Sequence, residues 1–310
     1  MTPPARALAH VRGLGAAGEP PVPGARITVN FHPDRQLADG RTVAEHLAAD
    51  GVYRSQFETG ISNGGLTAYP GGDRDRWEQR MFAGAYPSGV AAGRPVYGGL
   101  NLAGHPDGAS PRFGSCHLRL RPEVLRRATF SHGDSVTEPT VVGTADAFGA
   151  IRQALLEQVA RTGTALGVAA PGPAPWIEAL AAPRAAAGRA MDDYVEAQIH
   201  GGIDLATDVE AVVCDPAFAG TPTAGHLAAL APLEWHPGFV LPASAFPDDL
   251  RGPDAARLAR ALGSDVIDAA VVGAATHRTA DLAAFGTSAE VLQLLKYLWH
   301  ILVLRGHPRT

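Results

Sequence analysis

The chain has 310 residues, of which 46% are hydrophobic and 18% are charged, so it can bury a substantial core and is not disordered as a whole. Its formal net charge of -5 argues against an extended nucleic-acid surface, because that mode of binding needs clustered excess cations. Only Lys296 among the 26 basic residues is a lysine, which leaves local arginine sites for a small phosphate ligand open.

The first 24 residues are rich in proline and glycine and contain no unbroken apolar run. We therefore expect residues 1–24 to be a flexible leader and not a cleaved secretion signal. The two cysteines, Cys116 and Cys214, lie far apart in the sequence and form neither a disulfide framework nor a cysteine-based zinc site. Such cysteine usage favours a reducing, cytoplasmic compartment.

Secondary structure alternates from residue 26 onward. Residues 26–31 alternate polar and apolar side chains like a first strand, and residues 42–50 form a short amphipathic helix that Gly51 stops. A strand start at 52 runs into a Gly/Ser/Asn loop up to residue 66. The middle of 69–87 can be helical from Asp73 or Asp75.

Three short strands are predicted next, at 94–102, 111–120 and 126–135, separated by Gly, Pro and Asp turns. The middle one alternates cleanly, with Cys116 and Leu118 opposite Ser115 and His117. This pattern predicts a half-buried antiparallel sheet.

The second half begins with a helix that Thr144 would cap and Gly163 would end. A Pro/Ala-rich linker with one short helix covers 169–190, and strands follow at 192–202 and 210–215. From about residue 222 the chain is mostly alanine-rich helices and loops.

A capping-box pattern at Thr287 opens the last helix. Its apolar stretch, 291–304, is interrupted by polar residues and falls short of the roughly 20 residues that span a bilayer. We expect an α+β fold with a mainly antiparallel, split sheet in a core at 25–218, and a helical C-terminal extension at 219–310 packed on it.

Common catalytic motifs are absent: there is no phosphate-binding P-loop, no strand–GxGxxG–helix, no HExxH, no GxSxG and no paired CxxC. The candidates are therefore polar clusters on predicted strands. The best of them places Tyr194, Glu196, Gln198 and His200 on one strand face. A carboxylate flanked by an amide and a phenol suits contacts with a sugar, and it can stabilise oxocarbenium-like charge. The alternative is a solvated outer face of an edge strand.

Arg54 is the second candidate, at the end of a predicted strand and two residues before Gln56. The loop that follows, with Ser62, Asn63 and Gly64, allows close backbone approach to a ligand. Arginine offers paired donors suited to a phosphate or diphosphate. The alternative is an ordinary surface arginine.

The third cluster covers residues 129–135 and contains Thr129, Ser131, Asp134 and Ser135, where a predicted strand runs into a loop; a simple turn is the alternative. His117, His132 and His200 also lie on or beside predicted strands. A metal-dependent hydrolase built on these histidines and Asp134 is therefore a second hypothesis, and a non-catalytic binding or structural module is a third.

Long segments of the chain resemble a bacterial and fungal family known as a domain of unknown function, number 3626. They include YRSQFETGISNGGLTAYPGGDRDRWEQRMFAGAY, RPVYGGLNL, PRFGSCHLRL, RATFSHGDS, YVEAQIHGGIDL and DVEAVVCDPAF, and together they run from about residue 53 to 218.

A second resemblance is to ADP-ribosyltransferases of the Arg–Ser–Glu layout. It implies that Arg54 holds the phosphates of NAD, that Thr129 or Ser131 shapes the nicotinamide pocket, and that Glu196 is the catalytic acid. Tyr194 stands where that family usually has Gln or Glu, and Gln198 follows the glutamate instead. The resemblance predicts NAD-dependent ADP-ribosyl transfer or NAD glycohydrolysis, with a nucleotide substrate, an unknown acceptor and no membrane partner.

Overall fold

The computed structural model describes residues 1–60, 67–184 and 191–309. Its centre is an eight-stranded sheet: β1 Arg26–Phe31, β2 Val96–Asn101, β3 Cys116–Leu120, β4 Ala128–His132, β5 Val142–Thr144, β6 Val195–Ile199, β7 Val209–Cys214 and β8 Leu233–Trp235. The strand order is β8-β7-β3-β1-β2-β6-β4-β5. Neighbouring strands are antiparallel except β7 and β8, which are parallel. The prediction of a mixed fold with a mostly antiparallel sheet is confirmed.

The α-helices are α1 Pro3–Leu14, α2 Val43–Asp50, α3 Gln56–Thr59, α4 Asp73–Met81, α5 Gly149–Thr162, α6 Pro173–Leu180, α7 Leu205–Asp208, α8 Pro222–Ala228, α9 Pro253–Ala261, α10 Ala269–Thr276 and α11 Ser288–Arg305. Short 3₁₀ turns lie at Pro111–Phe113, Pro122–Arg127, Ser135–Thr137, Pro216–Phe218, Ala243–Ala245 and Thr279–Phe285. Three two-residue ladders pair Val52–Tyr53 with Ile203–Asp204, Thr164–Ala165 with Val168–Ala169, and Leu241–Pro242 with Val266–Ile267.

One face of the sheet is apolar and packs against helices. Ile27, Leu118, Phe130 and Ile199 point to this face and are buried. Their main partners include Leu155 and other residues of α5, in one hydrophobic cluster that extends through α9, α10 and α11. The period-two alternation of the strands therefore decides which residues enter the main core.

The opposite face of the sheet is polar, and around β4 and β6 it is also buried. A smaller cluster from α1 and α4, which includes Val11 and Trp77, covers this part. The prediction of a half-buried sheet is wrong there, because the two helices shield the polar side chains from solvent. At β3, β7 and β8 the same face remains partly exposed, at Arg119, Glu210 and Glu234.

Two local predictions need correction. The expected flexible leader contains α1, which buries Ala7 and Val11 completely against the polar face. The predicted cap Thr144 ends β5 instead, and α5 begins at Gly149. In both cases tertiary packing decides the local structure. The sequence pattern alone does not show this packing.

The C-terminal segment contributes to the sheet as well as to the helices, since β8 lies beside β7. The last helix is anchored by Trp299, whose indole N–H donates to the Pro111 carbonyl over 2.8 Å. Its capping box at Thr287 is present as predicted. Among the described helices, none is long and apolar enough to cross a membrane.

The two cysteines meet although they are distant in sequence. Cys116 and Cys214 pair directly across β3 and β7, and their Sγ atoms lie 2.6 Å apart as free thiols. Burial raises the pKa of the Cys116 thiol well above its ordinary value, so this thiol stays protonated inside the apolar core.

A buried ion cluster holds α4 in place. The Arg94 guanidinium donates to Asp75 and to Glu78, both over 2.7 Å, and all three side chains are almost fully buried. Removing one partner from such a cluster leaves uncompensated charge in a water-free environment.

Arg94→Ala should lower the free energy of unfolding by about 3–5 kcal/mol, because it strands Asp75 and Glu78 in the interior. Urea unfolding measures this loss. The matched control is Arg257→Ala, which removes an exposed ion pair with Asp254 and should change stability by at most about 0.5 kcal/mol. Equal losses in the two variants would contradict a structural role for the buried cluster.

Candidate functional site

The polar strand predicted around residue 196 lies in the interior of the sheet. Strand β6 is hydrogen-bonded to β2 on one side and to β4 on the other. Tyr194, Glu196, Gln198 and His200 share its polar face, as predicted, and each is no more than 3% exposed. The alternative of a solvated edge strand is therefore wrong.

Glu196 is the centre of this face. One carboxylate oxygen accepts from the backbone N–H of Ser135 over 3.3 Å and from the Ser135 hydroxyl over 3.2 Å. The Tyr194 hydroxyl donates to the same oxygen over 3.3 Å, and the Gln198 amide donates to the other over 3.1 Å. These donors hold the carboxylate in one orientation.

Burial raises the pKa of Glu196 to about 7. The negative charge of Asp134 acts in the same direction, whereas Arg74 and the hydrogen bonds from Gln198 and Ser135 oppose it. The carboxyl therefore changes charge near neutral pH, as functional carboxyl groups often do.

A chain of hydrogen bonds lies behind Glu196. Gln198 donates to the Ser131 hydroxyl over 3.2 Å and accepts from Thr129 over 2.8 Å. Thr129 also lies 3.1 Å from a ring nitrogen of His200, whose other nitrogen is 2.6 Å from the Tyr86 hydroxyl. Since Thr129, Ser131 and Gln198 are fully buried, the structure places them where they position Glu196.

The strand opposite Glu196 leaves space for this arrangement. Gly99 of β2 pairs directly with Glu196, and a Cβ atom at position 99 would lie 2.7 Å from the Cβ of Ala109. Such a contact is too short for any side chain, so glycine is required beside the carboxylate.

Arg74 is a cation whose charge acts on the Glu196 carboxylate, and sequence reasoning did not identify it. Its guanidinium carbon lies 3.9 Å from the centre of the Tyr97 ring, and it donates to the Ser135 hydroxyl over 3.4 Å. Tyr97 in turn donates to Glu78 over 2.8 Å. Arg74 precedes the buried residues Trp77 and Glu78 by three and four positions, so the helical period places it on the same inward face.

Two neighbouring cavities lie next to these residues. The inner pocket has a volume of about 60 Å³ and is lined by Tyr194, Glu196, Arg54 and Asn30, among others. The outer cleft has a volume of about 470 Å³. Gln56, Arg74 and Phe113 line both cavities, so the inner pocket and the outer cleft adjoin.

The other predicted ligand contacts lie at the rim. Arg54 lines the inner pocket, but its side chain is 45% exposed and forms an ion pair with Asp50. Gln56 lines both cavities, and its buried Oε1 has no hydrogen-bond partner among the described residues. Ser62, Asn63 and Gly64 lie outside the described residues.

The histidines of the metal hypothesis are not brought together. His132 points to the apolar side of the sheet and contacts Gln158 over 3.0 Å, because it is one residue out of step with Ser131. His200 is engaged by Tyr86 and Thr129, and Asp134 pairs with Arg112. Within the described residues no group of three or more His, Cys, Asp or Glu side chains could hold a metal ion.

Sequence reasoning also missed Tyr97, and it included Ser135 in the third polar cluster without linking it to Glu196. Both lie on or beside strands that it predicted, and Ser135 belongs to the polar run that follows β4. Their contact with Glu196 or Arg74 follows from strand order and from the fold of α4 over the sheet, neither of which has a local sequence signal.

Ionisation of Glu196 should make the wild-type protein less stable as the pH rises. Its pKa in the folded state, about 7, is above its ordinary value of 4.5. The stabilisation from the protonated form is therefore complete below pH 4.5 and is lost as the pH rises through 7. Between pH 4.5 and 8, the free energy of unfolding of the wild type should fall by about 3 kcal/mol because of this ionisation. Glu196→Gln should not show this fall.

Thermal unfolding of both proteins across that range measures the effect. The surface variant Glu157→Gln provides the control and should follow the wild-type profile. Parallel curves for wild type and Glu196→Gln would contradict the raised pKa of Glu196.

Comparison with known proteins identifies a family but no activity. No curated protein matches the chain. A family model described as a protein of unknown function (DUF3626) matches residues 26–305, which is most of the chain and includes the sheet and helix α11. The chain therefore belongs to this family of unknown function, as its sequence segments predicted.

Proposed function

We propose that this protein cleaves the bond between nicotinamide and ribose in NAD, by ADP-ribosyl transfer or by hydrolysis. The observation that supports the proposal is Glu196, a buried and firmly oriented carboxylate at the base of a cleft that also contains cations. The resemblance to the Arg–Ser–Glu layout suggests the same residue and the same substrate.

Glu196 is suited to stabilise positive charge on a sugar. When the bond from ribose C1 to the nicotinamide nitrogen breaks, the bonding electron pair leaves with nicotinamide, and positive charge develops on C1 and the ring oxygen. A fixed carboxylate in a site of low polarity stabilises that charge strongly. Because Ser135, Tyr194 and Gln198 already orient Glu196, little reorganisation is needed as the charge develops.

A nucleophile then completes the reaction. Water, or a group of an acceptor, forms the new bond to C1 and releases its proton. In hydrolysis the products are nicotinamide, ADP-ribose and a proton. Both outcomes share the same cleavage step at C1, so the proposal covers hydrolysis and transfer alike.

The cations at the site fit the diphosphate of the substrate. Arg54 stands at the rim of the inner pocket, where the resemblance assigns a phosphate contact. Arg74 lies deeper, at the junction of the inner pocket and the outer cleft. Its positive charge acts on Glu196 and is also present in the lining of the larger cavity.

Purified protein should release nicotinamide from NAD, and Glu196→Gln should lower kcat by at least about 100-fold, the loss typical for removal of an electrostatic stabiliser of the transition state. Chromatography of nicotinamide, with separate detection of ADP-ribose, measures turnover and distinguishes hydrolysis from transfer. Glu157→Gln should keep wild-type activity. Full activity in Glu196→Gln would overturn the assignment of this residue.

The pH dependence of the reaction should report the ionisation of Glu196. Because the charged form stabilises the sugar cation, kcat/KM should fall about tenfold for each pH unit below 7 and level off above it. Steady-state rates from pH 5 to 9 check this. A rate that instead falls as the pH rises through 7 would show that Glu196 acts as a proton donor and would contradict the proposed role.

A further inference from the structure

One donor to Glu196 can do more than orient it. Ser135 lies in the 3₁₀ turn that follows β4, and its hydroxyl donates to the carboxylate over 3.2 Å. The same hydroxyl accepts from the Arg74 guanidinium over 3.4 Å. A hydroxyl between a carboxylate and a cation has the arrangement of an activated nucleophile, because the carboxylate can take the proton and the cation can stabilise the charge left on oxygen.

Ser135 stands where the two cavities adjoin. Its side chain lines the outer cleft, whereas Glu196 lines the inner pocket. The hydrogen bond between them therefore joins a base in one cavity to a hydroxyl in the other. Ser135 is only 5% exposed, so bulk water has little access to its hydroxyl. A sugar carbon placed beside Glu196 would have the Ser135 oxygen within reach.

The turn that carries Ser135 is held by side chains around it. The Asp134 carboxylate accepts from the backbone N–H of Val136 over 2.9 Å and pairs with Arg112. The Thr137 hydroxyl donates to the Asp134 carbonyl over 2.8 Å. These contacts fix the Ser135 hydroxyl relative to the carboxylate, as a nucleophile and its base require.

Two neighbouring hydroxyls lack this combination. Ser131 donates to the Gly133 carbonyl over 3.1 Å, so its hydrogen does not reach a base. Tyr194 does donate to Glu196, over 3.3 Å, but burial raises the pKa of its phenol well above the ordinary value. Among the described residues that donate to Glu196, Ser135 is the one whose hydroxyl also accepts from a cation.

We propose that Ser135 is a nucleophile with Glu196 as its general base, and that in the proposed reaction it is an internal acceptor of the ADP-ribosyl group. The Oγ of Ser135 forms a bond to ribose C1 as the bond from C1 to nicotinamide breaks. The electron pair of the broken bond leaves with nicotinamide, and the hydroxyl proton passes to the Glu196 carboxylate. The acceptor role rests on the proposed function, whereas the pairing of nucleophile and base does not.

A fluorophosphonate tests the nucleophile without any nucleotide. The serine oxygen forms a bond to phosphorus, fluoride leaves with its electron pair, and the proton passes to the carboxylate. Peptide mass spectrometry of the full-length wild type should find the label on Ser135 and not on Ser131. Glu196→Gln should slow the labelling at least about 100-fold, the loss typical for removal of a general base. Glu157→Gln is the control and should be labelled like wild type.

The rate of this labelling in the wild type should follow the ionisation of Glu196. Because only the charged carboxylate takes a proton, the rate should fall about tenfold for each pH unit below 7 and level off above it. Arg74 on α4 and Asp134 in the turn are the charged groups that act on this carboxyl. The phenols of Tyr194 and Tyr97, whose pKa values are raised well above the ordinary value, stay neutral throughout.

The pH profile needs no variant, so it decides the matter even if Glu196→Gln fails to fold. Label on Tyr194 in place of Ser135 would overturn the proposal, and so would a labelling rate that is the same at pH 5 and pH 8.

Incubation with NAD tests the acceptor role. Peptide mass spectrometry should find ADP-ribose on Ser135 of the wild type, and Ser135→Ala should remain unmodified. Thr137→Ala is the matched control, because it removes a hydroxyl of the same turn that is bonded to the Asp134 carbonyl. It should be modified like wild type.

The outcomes separate this inference from the proposed reaction. Release of nicotinamide without ADP-ribose on Ser135 would overturn the internal acceptor while supporting the cleavage of NAD. Labelling of Ser135 by the fluorophosphonate without release of nicotinamide would support the nucleophile and refute both the proposed reaction and the acceptor role. The expected result is that both the fluorophosphonate and ADP-ribose are found on Ser135.

Discussion

The structure depends on one constraint: a carboxylate lies in the interior of a β-sheet. Ionised Glu196 is expensive to bury unless donors surround it, and Ser135, Tyr194 and Gln198 supply them. Each donor comes from β6 or from the turn after β4, the strand beside it. The site therefore depends on the order of the central strands, which places β4 beside β6. On the other side of the carboxylate, the glycine at position 99 of β2 leaves space.

A polar sheet face also needs a cover that excludes water. Helices α1 and α4 form this cover, and a small cluster of aromatic and aliphatic side chains packs beneath them. The ion cluster of Arg94, Asp75 and Glu78 holds α4 in place. Because Arg74 lies on the same helix, a cluster that serves stability also sets the position of a cation whose charge acts on Glu196. Stability and site geometry therefore share the same contacts.

The site combines two environments with different physical roles. The inner pocket is the smaller and less open of the two, so charges act more strongly on each other there. The outer cleft is larger, and its lining includes Ser135. This division suits a reaction in which a sugar is held beside Glu196 and its acceptor stands on the side of the outer cleft, as in the proposed reaction.

The sequence by itself determined the parts that follow from local periodicity. Alternation along β6 predicted that Tyr194, Glu196, Gln198 and His200 share a face, and the same reasoning located most strands and the capped helices α2 and α11. Only the tertiary structure decided that this face is buried, that His132 points away from it, and that the N-terminal residues form a packed helix. It also brought Arg74 and Ser135 to the site. Those contacts join residues far apart in the chain, and their energy comes from strand order and from burial between elements, which no local pattern encodes.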